Sequence, residues 1–282
     1  MTRSVRGVTI ALAVGLVLTA CSNKTPTATS TTGGTSVNPC ATPSVLTAGT
    51  FTVGAEFPYY APFLVGAQAS PTGYEGDMIT EIAKRLGLGT VKWVNIAFDQ
   101  LYAPGTKKFD VGVSEITITS ERAQAVDFSE PYFDANQGLL VRADSKYAGA
   151  TTTQELLDAK FGAEAGTTGL DYINAHIKPT KPVSQFDTTD VTAQALKTGT
   201  IDIQVIDVPI AAGIRDNSNV PLKLIGQFVT NEQYGLAMQK GSPLKSCVDQ
   251  AIKSMKDDGT LQGLQTKYFP GTNPLTVFQP TA

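Results

Sequence analysis

The stretch "FDVGVSEITITSERAQAVDFSEPY", Phe109–Tyr132, joins an apolar segment to a run of polar side chains. Its first six residues, ending at Ser114, predict a buried β-strand. Glu115 follows this strand at once, and Thr117 and Arg122 come shortly after, with Arg122 near the start of a short helix. Ligands of open α/β sheets bind beyond the carboxyl ends of the strands. We therefore expect the polar side chains of this segment to face a small ligand; they are Ser114, Glu115, Thr117 and Arg122.

A second strand repeats this pattern. "IDIQVID", Ile201–Asp207, again has an aspartate near the strand start and an acidic residue five positions later. Helical periodicity elsewhere, as in Asp77–Leu86 and Ser246–Asp258, predicts helices that alternate with strands, and hence α/β units with largely parallel sheets. The roughly 240 residues after the N-terminal region exceed a typical single domain. The sequence therefore predicts an α/β protein with two lobes.

The N-terminus predicts export. Arg3 and Arg6 precede an apolar run, Val8–Ala20, that is too short to span a bilayer core of about 30 Å. Basic residues before a short apolar run are typical of a signal peptide, here residues 1–20. The letters "LTAC" end at Cys21 and resemble the lipobox of bacterial lipoproteins, which implies a lipid on this cysteine.

Residues 21–40 are rich in Ser, Thr and Gly, a composition that predicts a flexible linker. The expected location is extracytoplasmic, with the protein lipid-anchored to the cell membrane through Cys21. Two alternatives remain open. One is an ordinary cleaved signal followed by a chance cysteine, and the other is a leader segment with no tethering role.

Composition excludes several other classes. The net charge of −3 gives no basic surface for nucleic acid. The single histidine, His176, and three cysteines supply no metal-ligand cluster, so we predict no metal and no cofactor. Cys40 and Cys247 remain once Cys21 is assigned to the lipid. Disulfides persist in exported proteins, which favours a bond between these two cysteines over two buried free thiols.

The candidate ligand-binding residues carry complementary charges. The guanidinium of Arg122 suits a carboxylate, and "GTTG", Gly166–Gly169, offers the hydroxyls and N–H groups of Thr167 and Thr168 at a helix start. The carboxylate of Asp207 suits an ammonium group. The sequence therefore predicts a zwitterionic ligand, an amino acid.

Glu56, Tyr60 and Phe98 lie in loops after strands and complete the candidate site. Each assignment has a structural alternative. For the aromatic rings it is packing against their own lobe, and for Thr167 and Thr168 it is the capping of a helix and nothing more. Arg122 has the alternative of a surface ion pair with an acidic neighbour, Glu121 or Asp127.

The chain resembles the polar-amino-acid family (family 3) of bacterial solute-binding proteins that feed ABC importers. The resemblance runs from about Val45 to Phe269. It is carried, in family order, by "TAGTFTVG", "GYEGDMITEIAKRLG", "FDVGVSEITITSERAQAVDFSEPY", "GAEAGTTGLDY", "ALKTGTIDIQVID", "YGLAMQKGSPL" and "MKDDGTLQGLQTKYF". It implies an α/β, two-lobe periplasmic-binding-protein-like fold of type II, with the ligand cleft between lobes joined by two crossover strands.

The resemblance also implies the domain limits. The crossovers would fall near Gly138–Arg142 and Val229–Leu236. Lobe 1 would then comprise residues 41–139 plus 235–270, lobe 2 would comprise 142–231, and residues 271–282 would form a C-terminal tail.

By position in the family motifs, Arg122 and Thr117 resemble residues that hold the ligand α-carboxylate from one lobe, and Thr168 resembles the donor from the other. Asp207 matches the acid that takes the α-ammonium group. Tyr60 and Phe98 match residues that flank the ligand side chain; because the loop is one residue longer here, the adjacent tyrosine is an alternative. The implied partners are an amino acid and an ABC permease in the membrane, and we expect a monomer.

Two departures from the family pattern concern acidic residues. Glu56 stands where the family usually has Asp, and Glu115 stands where it often has a small or amide residue. A carboxylate about 4 Å from a ligand charge contributes up to roughly 4 kcal/mol at an effective dielectric constant of 20. Glu115 therefore favours a neutral polar or basic amino acid over an acidic one, unless it is paired with an internal Lys or Arg.

Two other functions compete with uptake. An exported enzyme on the same fold, such as a dehydratase, would use Glu56 and Glu115 as an acid–base pair. Against it, no G-x-S-x-G motif occurs and neither spare cysteine lies in a nucleophile motif, so we expect no enzymatic activity. A sensory lipoprotein that reports its ligand to a membrane partner has the same sequence signature as an uptake protein.

Overall fold

The computed structural model describes residues 40–271 and 274–281. The expectations for the signal peptide, for the lipid on Cys21 and for nearly all of the linker lie outside these residues. Within them, no helix combines the length and apolar character needed to cross a membrane.

The described residues form ten strands and eight α-helices. The strands are β1 (Thr50–Ala55), β2 (Thr90–Asn95), β3 (Val111–Gly112), β4 (Val126–Phe128), β5 (Phe133–Arg142), β6 (Phe161–Glu164), β7 (Ser184–Phe186), β8 (Ile203–Asp207), β9 (Leu222–Tyr234) and β10 (Ala237–Gln239). The helices are α1 (Tyr74–Arg85), α2 (Phe98–Tyr102), α3 (Arg122–Ala125), α4 (Thr168–Tyr172), α5 (Thr189–Thr198), α6 (Val208–Asp216), α7 (Lys245–Asp257) and α8 (Thr260–Tyr268).

Two five-stranded sheets define two lobes. The first has the strand order β2-β1-β3-β10-β4, and the second has the order β7-β6-β8-β5-β9. β1 pairs in parallel with β2 and β3, and β6 does so with β7 and β8. β5, β9 and β10 pair with their neighbours in antiparallel orientation. The sheets are thus mixed, where the sequence predicted largely parallel ones, because chain segments that pass between the lobes enter each sheet in the reverse direction.

Hydrophobic periodicity explains the helices that cover the first sheet. Met78, Ile79 and Ile82 are fully buried on one face of α1. This helix ends before Gly87, whose φ of 69° is the left-handed conformation that glycine adopts without strain. The predicted helix begins at Asp77, three residues late, because the residues just before it interrupt the apolar spacing. Such spacing reveals a helix more reliably than it reveals the end of one.

The predicted strand 109–114 is regular only at Val111–Gly112. Backbone hydrogen bonds continue on both sides of it, from Asp110 N–H to Thr52 O (2.8 Å) and from Val113 N–H to Gly54 O (2.8 Å). The segment is therefore extended and buried along β1. The sequence pattern located the strand correctly, although the structure assigns only its centre as regular β.

The first crossover lies earlier than predicted. β5 is hydrogen-bonded to β8 from Gln137 to Val141, so the lobe limit at residue 139 falls inside a strand of the second sheet. The chain changes sheets between Phe128 and Phe133. The pairing of β5 with β8 and β9 is a long-range contact that local sequence does not encode.

Residues 274–281 pack against the second lobe, where the sequence predicted only a tail. Val277 forms a parallel bridge with Gln227 on β9. Phe278 is only 2% exposed and lies in the apolar core of the second lobe. Gly226 provides the space for it, because a Cβ atom on this glycine would lie 2.3 Å from the Phe278 ring. The C-terminus therefore completes this lobe after α8 has packed on the first.

Cys40 and Cys247 form a disulfide with a Cα–Cα distance of 5.4 Å. This is the pairing that the exported location favoured, and the alternative of two free thiols is wrong. The bond fastens the first described residue to α7, whose Cys247 is itself buried.

Candidate functional site

A small cavity lies between the two lobes at the carboxyl ends of β1, β3, β6 and β8. Its volume is about 30 Å³. The lining residues are Glu56, Tyr60, Phe98, Ser114, Glu115, Thr117, Arg122, Glu164, Thr167, Thr189, Ile206, Asp207 and Ile210. The cavity thus brings together nine of the ten candidate residues and omits Thr168. Ligand sites commonly occupy about 300–1,000 Å³, so the lobes must separate for a ligand to enter.

A larger cavity, of about 740 Å³, lies beside the crossover segments. Phe133, Arg215 and Phe269 contribute to its walls, and none of the candidate residues does. The smaller cavity is the candidate functional site, because the charged groups and strand ends that a polar ligand needs converge there.

Arg122 links the lobes. Its guanidinium donates to the carbonyl oxygen of Thr117 on its own lobe (2.8 Å) and to that of Gly166 on the other (2.8 Å). It also lies over the rings of Phe98 and Tyr102, 5.4 and 4.3 Å from their centroids. The alternative of a surface ion pair is wrong, because the residue is buried. The remaining N–H groups of the fork are the ones that suit a ligand carboxylate.

Glu115 has an unusual environment. Its φ of 49° is in the left-handed region, and its N–H donates to Glu75 Oε1 over 2.9 Å. Burial raises the pKa of its carboxyl well above the ordinary 4.5, and the charge of Glu75 raises this pKa further. Tyr132 OH donates to the same Glu75 oxygen. Within the described residues Glu115 Oε1 has no hydrogen-bond partner, although it lines the cavity.

The partner of Glu115 is thus another acid, and the expected alternative of an internal Lys or Arg is wrong. Two buried carboxyls in contact do not both ionise, since the charged forms repel and are poorly solvated. The closed arrangement therefore favours a proton on at least one of the two, and burial raises the pKa of Glu75 to about 7.

Glu56 is held at the end of β1 by its own neighbours. Its N–H donates to Ser114 Oγ (3.0 Å), and its Oε1 accepts from Phe98 N–H at the start of α2 (3.2 Å). Burial raises its pKa, and Asp99 raises it further. Ser114 thus positions Glu56 as well as lining the cavity.

Tyr60 is the tyrosine of this loop that reaches the cavity. Its hydroxyl accepts from Asp190 N–H on the second lobe over 3.0 Å. Tyr59 points elsewhere, since its hydroxyl donates to Gln68 O and its ring packs edge-on against Trp93. The longer loop therefore presents the second of its two tyrosines to the cavity, in agreement with the position of Tyr60 in the family motif.

On the second lobe, Thr167 lines the cavity and also caps α4. Its Oγ1 accepts from Leu170 N–H (3.2 Å) and donates to Glu164 O (2.8 Å). Thr168 faces an adjoining surface depression instead, where its hydroxyl donates to Glu232 Oε2 over 2.6 Å. The structure thus puts Thr167 at the position expected of Thr168, because the capping turn directs successive side chains to opposite sides.

Asp207 ends β8 inside the cavity. Gln137 donates to its Oδ1, and Tyr234 OH donates to its Oδ2 over 2.7 Å. Burial, followed by the charge of Glu232, raises the pKa of Asp207 to about 7. A ligand ammonium group beside this carboxyl would stabilise its charged form.

Four cavity residues were absent from the sequence prediction: Glu164, Thr189, Ile206 and Ile210. Glu164 is 4% exposed, and burial, followed by the charge of Glu56, raises its pKa to about 8. It ends β6, so the rule that located Glu115 and Asp207 at strand ends would have found it. No comparable signal marks Thr189, whose side chain comes from the start of α5.

Further hydrogen bonds join the lobes around the cavity. Tyr102 OH donates to Gly166 O over 2.8 Å, and Thr117 Oγ1 donates to Glu232 Oε2 over 2.8 Å. Gly213 on α6 lies so close to the first lobe that a Cβ atom there would be 1.8 Å from Ala61 O. These contacts hold the cleft in a closed arrangement. In the part of the chain that the structure describes, no group of three or more His, Cys, Asp or Glu is arranged to hold a metal ion.

Comparisons with known proteins agree with this architecture. Residues 52–271 match the family "Bacterial extracellular solute-binding proteins, family 3". The chain is 30% identical over 226 residues to the L-cystine-binding protein TcyJ of Escherichia coli (strain K12), covering 78% of this chain and 83% of that protein.

Two solved structures are similar in fold and sequence. The arginine-, lysine-, histidine-binding protein ArtJ of Geobacillus stearothermophilus superposes with a TM-score of 0.70 at 30% identity, over 79% of this chain and 96% of that one. An ancestral amino acid-binding protein, described as a precursor of cyclohexadienyl dehydratase, gives a TM-score of 0.68 at 33% identity. The match covers 78% of this chain and 95% of that one.

The two-lobe α/β fold expected from the sequence is confirmed by these neighbours and by the two sheets. The motif around Arg122, the strand-end acids and the match over most of the chain all lead to one family. This protein belongs to the bacterial extracellular solute-binding proteins, family 3.

Proposed function

We propose that this protein captures an amino acid outside the cytoplasm and delivers it to an ABC-type import permease. The observation that supports the proposal most directly is the position of Arg122 and Asp207. They line one cavity from opposite lobes, so a zwitterion between them would contact both at once. Binding energy shifts a protein toward closure only through contacts that the closed state makes.

The ligand in this proposal is a neutral polar or basic amino acid rather than an acidic one. Four acidic residues and one arginine line the cavity. The α-carboxylate would meet Arg122 and the N–H groups near Thr167, and the α-ammonium would meet Asp207. Tyr60 and Phe98 would flank the side chain and exclude water, which strengthens each charge pair.

The proposal also covers attachment and assembly. The protein would be exported, anchored through a lipid on Cys21 and monomeric, and the linker 21–40 would let the folded body reach its permease. Mass spectrometry of the protein from the membrane fraction tests for the lipid on Cys21. Replacement of Cys21 by Ser should release the protein from membranes.

Thermal-shift screening of residues 22–282 against the twenty amino acids tests the binding function. A ligand at 100 times its dissociation constant stabilises a protein by about 2.7 kcal/mol, which is measurable. We expect neutral polar or basic amino acids to give the largest shifts, and Arg122→Ala to abolish them. A protein that responds to none of the twenty, or best to Asp or Glu, contradicts the proposal.

We infer binding without turnover, and one second candidate has specific support. The carboxyl of Glu164 has a pKa of about 8 and could act as a general acid near neutral pH. The ancestral precursor of cyclohexadienyl dehydratase is also among the similar structures. NMR of a ligand recovered after prolonged incubation separates the two functions: an unchanged ligand supports the binding protein, and a dehydrated product supports the enzyme.

A further inference from the structure

Two carboxyl side chains meet across the cleft. Glu56 ends β1 on the first lobe and Glu164 ends β6 on the second, and both line the same small cavity. They are 7% and 4% exposed, so bulk water solvates neither well. They lie close enough for each to perturb the pKa of the other. Two buried carboxylates this close repel each other and are poorly solvated, so at least one of them holds a proton in the closed cleft.

The cavity has more acidic groups than a simple zwitterion can pair. Among its lining residues, Glu56, Glu115, Glu164 and Asp207 face a single cation, Arg122. Once an α-carboxylate has met Arg122 and an α-ammonium has met Asp207, three acidic groups remain with no added positive charge. Glu115 Oε1 is also a buried acceptor that lacks a partner among the described residues.

The groups around the Glu56–Glu164 pair are acidic or neutral. Asp99 faces it from α2 and the phenol of Tyr60 from the loop after β1, and Asp190 on α5 lies beside that phenol. Thr189, at the start of α5, is a neutral neighbour that lowers the pKa of Glu164. A positive charge is therefore the group that the described residues do not supply at this end of the cavity.

We propose that the ligand is a basic amino acid, and that its side-chain cation lies between Glu56 and Glu164 in place of the proton that the pair holds. Glu164 is then the residue that determines specificity from the second lobe. The inference rests on the proposed function, because it assigns the α-groups of the ligand to Arg122 and Asp207. One proton leaves the carboxyl pair for the buffer as each cation enters.

This exchange also gives closure a direct cause. With the proton, the pair contributes one hydrogen bond between the lobes, from the protonated carboxyl to the carboxylate. With a cation, both carboxylates are charged and both contact the ligand, one from each lobe. Charge-assisted hydrogen bonds are roughly twice as strong as neutral ones, so the basic side chain contributes to the closed state more than a neutral side chain does.

Titration calorimetry with L-arginine, L-lysine, L-glutamine and L-glutamate tests the inference. We expect arginine or lysine to bind at least about tenfold more tightly than glutamine, and glutamate to bind weakest. Their binding should release a proton, seen as an apparent enthalpy that depends on the ionisation enthalpy of the buffer. Glutamine should release fewer protons, because it does not displace the one held by the pair.

Two variants test whether the side-chain cation of the ligand binds between Glu56 and Glu164. Glu164→Gln and Glu56→Gln should each weaken arginine or lysine binding at least about tenfold more than they weaken glutamine binding. Glu130→Gln removes an exposed acid from the first lobe and is the control for the change in net charge. Circular dichroism confirms that each variant is folded, and the preference of the unmodified protein is informative even where one variant fails to fold.

The outcomes separate the two proposals. Tightest binding of a neutral amino acid, lost in Arg122→Ala, would overturn the basic-ligand inference and leave the amino-acid binding function standing. Basic-ligand binding that Glu164→Gln and Glu56→Gln leave intact would overturn the assigned location. Failure of all twenty amino acids to bind would remove both proposals together.

Discussion

The guanidinium of Arg122, on the first lobe, donates a hydrogen bond to the carbonyl oxygen of Gly166, on the second, over 2.8 Å. Gly166 has a φ of 75°, and a Cβ atom there would lie 2.5 Å from the hydroxyl of Tyr102. The same carbonyl accepts from Tyr102 OH over 2.8 Å. One backbone oxygen thus receives two side chains of the opposite lobe, and it can do so because the residue that carries it is glycine.

Replacement of Arg122 should abolish ligand binding. Arg122→Ala removes both the fork for a ligand carboxylate and the bond to Gly166, and we expect affinity to fall at least about a hundredfold. Arg122→Lys keeps the charge without the planar fork, so its affinity should lie between those of the unmodified protein and Arg122→Ala. Calorimetry with the best amino acid from the screen measures this. Arg142→Ala, which removes an arginine paired with Asp144 on the surface, is the control; equal losses in both variants would contradict a specific role.

Gly213→Ala should weaken ligand binding without touching the cavity. The added Cβ atom would lie 1.8 Å from Ala61 O on the other lobe, so the lobes cannot close as they do here. Overpacking of this kind costs about 1–3 kcal/mol, or roughly 5- to 150-fold in affinity. Gly263→Ala on α8 is the matched control, because nothing lies near its added Cβ atom. An unchanged affinity in Gly213→Ala would mean that the liganded lobes meet differently.

The ligand-free protein should lose stability as the pH rises from about 5 to about 8. The pKa values of Glu75, Asp207 and Glu164 are raised to about 7, about 7 and about 8, above the ordinary 4.5, 3.8 and 4.5. Between those limits the unfolded chain has released protons that the folded one retains, so increasing pH favours unfolding.

Thermal unfolding across this pH range measures the effect. Glu164→Gln cannot release a proton at this position, so its melting temperature should depend less steeply on pH than that of the unmodified protein. A melting temperature that rises over the same interval would contradict the raised pKa values. With arginine or lysine bound, the melting temperature should depend less on pH, because the cation stabilises the charged carboxylates.

Loss of the disulfide should destabilise the fold. The bond between Cys40 and Cys247 closes a loop of 207 residues. Removal of a native disulfide typically costs about 2–5 kcal/mol. Chemical denaturation of the double variant Cys40→Ser/Cys247→Ser should show this loss. A reductant should lower the denaturation midpoint of the unmodified protein and leave that of the double variant unchanged. No change in either measurement would indicate that the bond is absent in solution.

Phe278→Ala should destabilise the second lobe. The ring is buried beside Phe228, with 6.0 Å between ring centroids, and its removal leaves an unfilled space over Gly226. Phe→Ala changes in a core cost about 3–5 kcal/mol. Val277→Ala, which truncates an exposed neighbour on the same segment, is the control. Similar stability of the two variants would show that residues 274–281 do not pack as described.

Much of the candidate site could be predicted because it depends on local pattern. Glu115 and Asp207 follow apolar strands, and the carboxyl end of a parallel strand lies at the binding edge wherever that strand is placed in the sheet. The same rule applied to β6 would have found Glu164. Family motifs added the positions of Arg122, Tyr60 and Phe98, and the structure places all three on the cavity.

Pairings between distant segments could not be predicted in this way. Nothing in the local pattern indicates that Glu115 meets Glu75 or that Glu56 meets Glu164, because each partner is equally acceptable on a solvated surface. The docking of Phe278 on the second lobe depends on Gly226, and a glycine in a strand is equally typical of a bulge or a tight bend. The turn at Thr167 decided which of two adjacent hydroxyls faces the cavity.

The sequence by itself therefore determined the α/β class and the acids at the strand ends, since periodicity and strand ends are properties of short segments. The resemblance of its motifs indicated the family and most other residues at the cleft. Only the tertiary structure decided which carboxyls lie together, where the chain crosses between lobes and how the C-terminus is used. Those features arise from contacts between residues far apart in the chain, and their energies depend on burial, which no single segment sets.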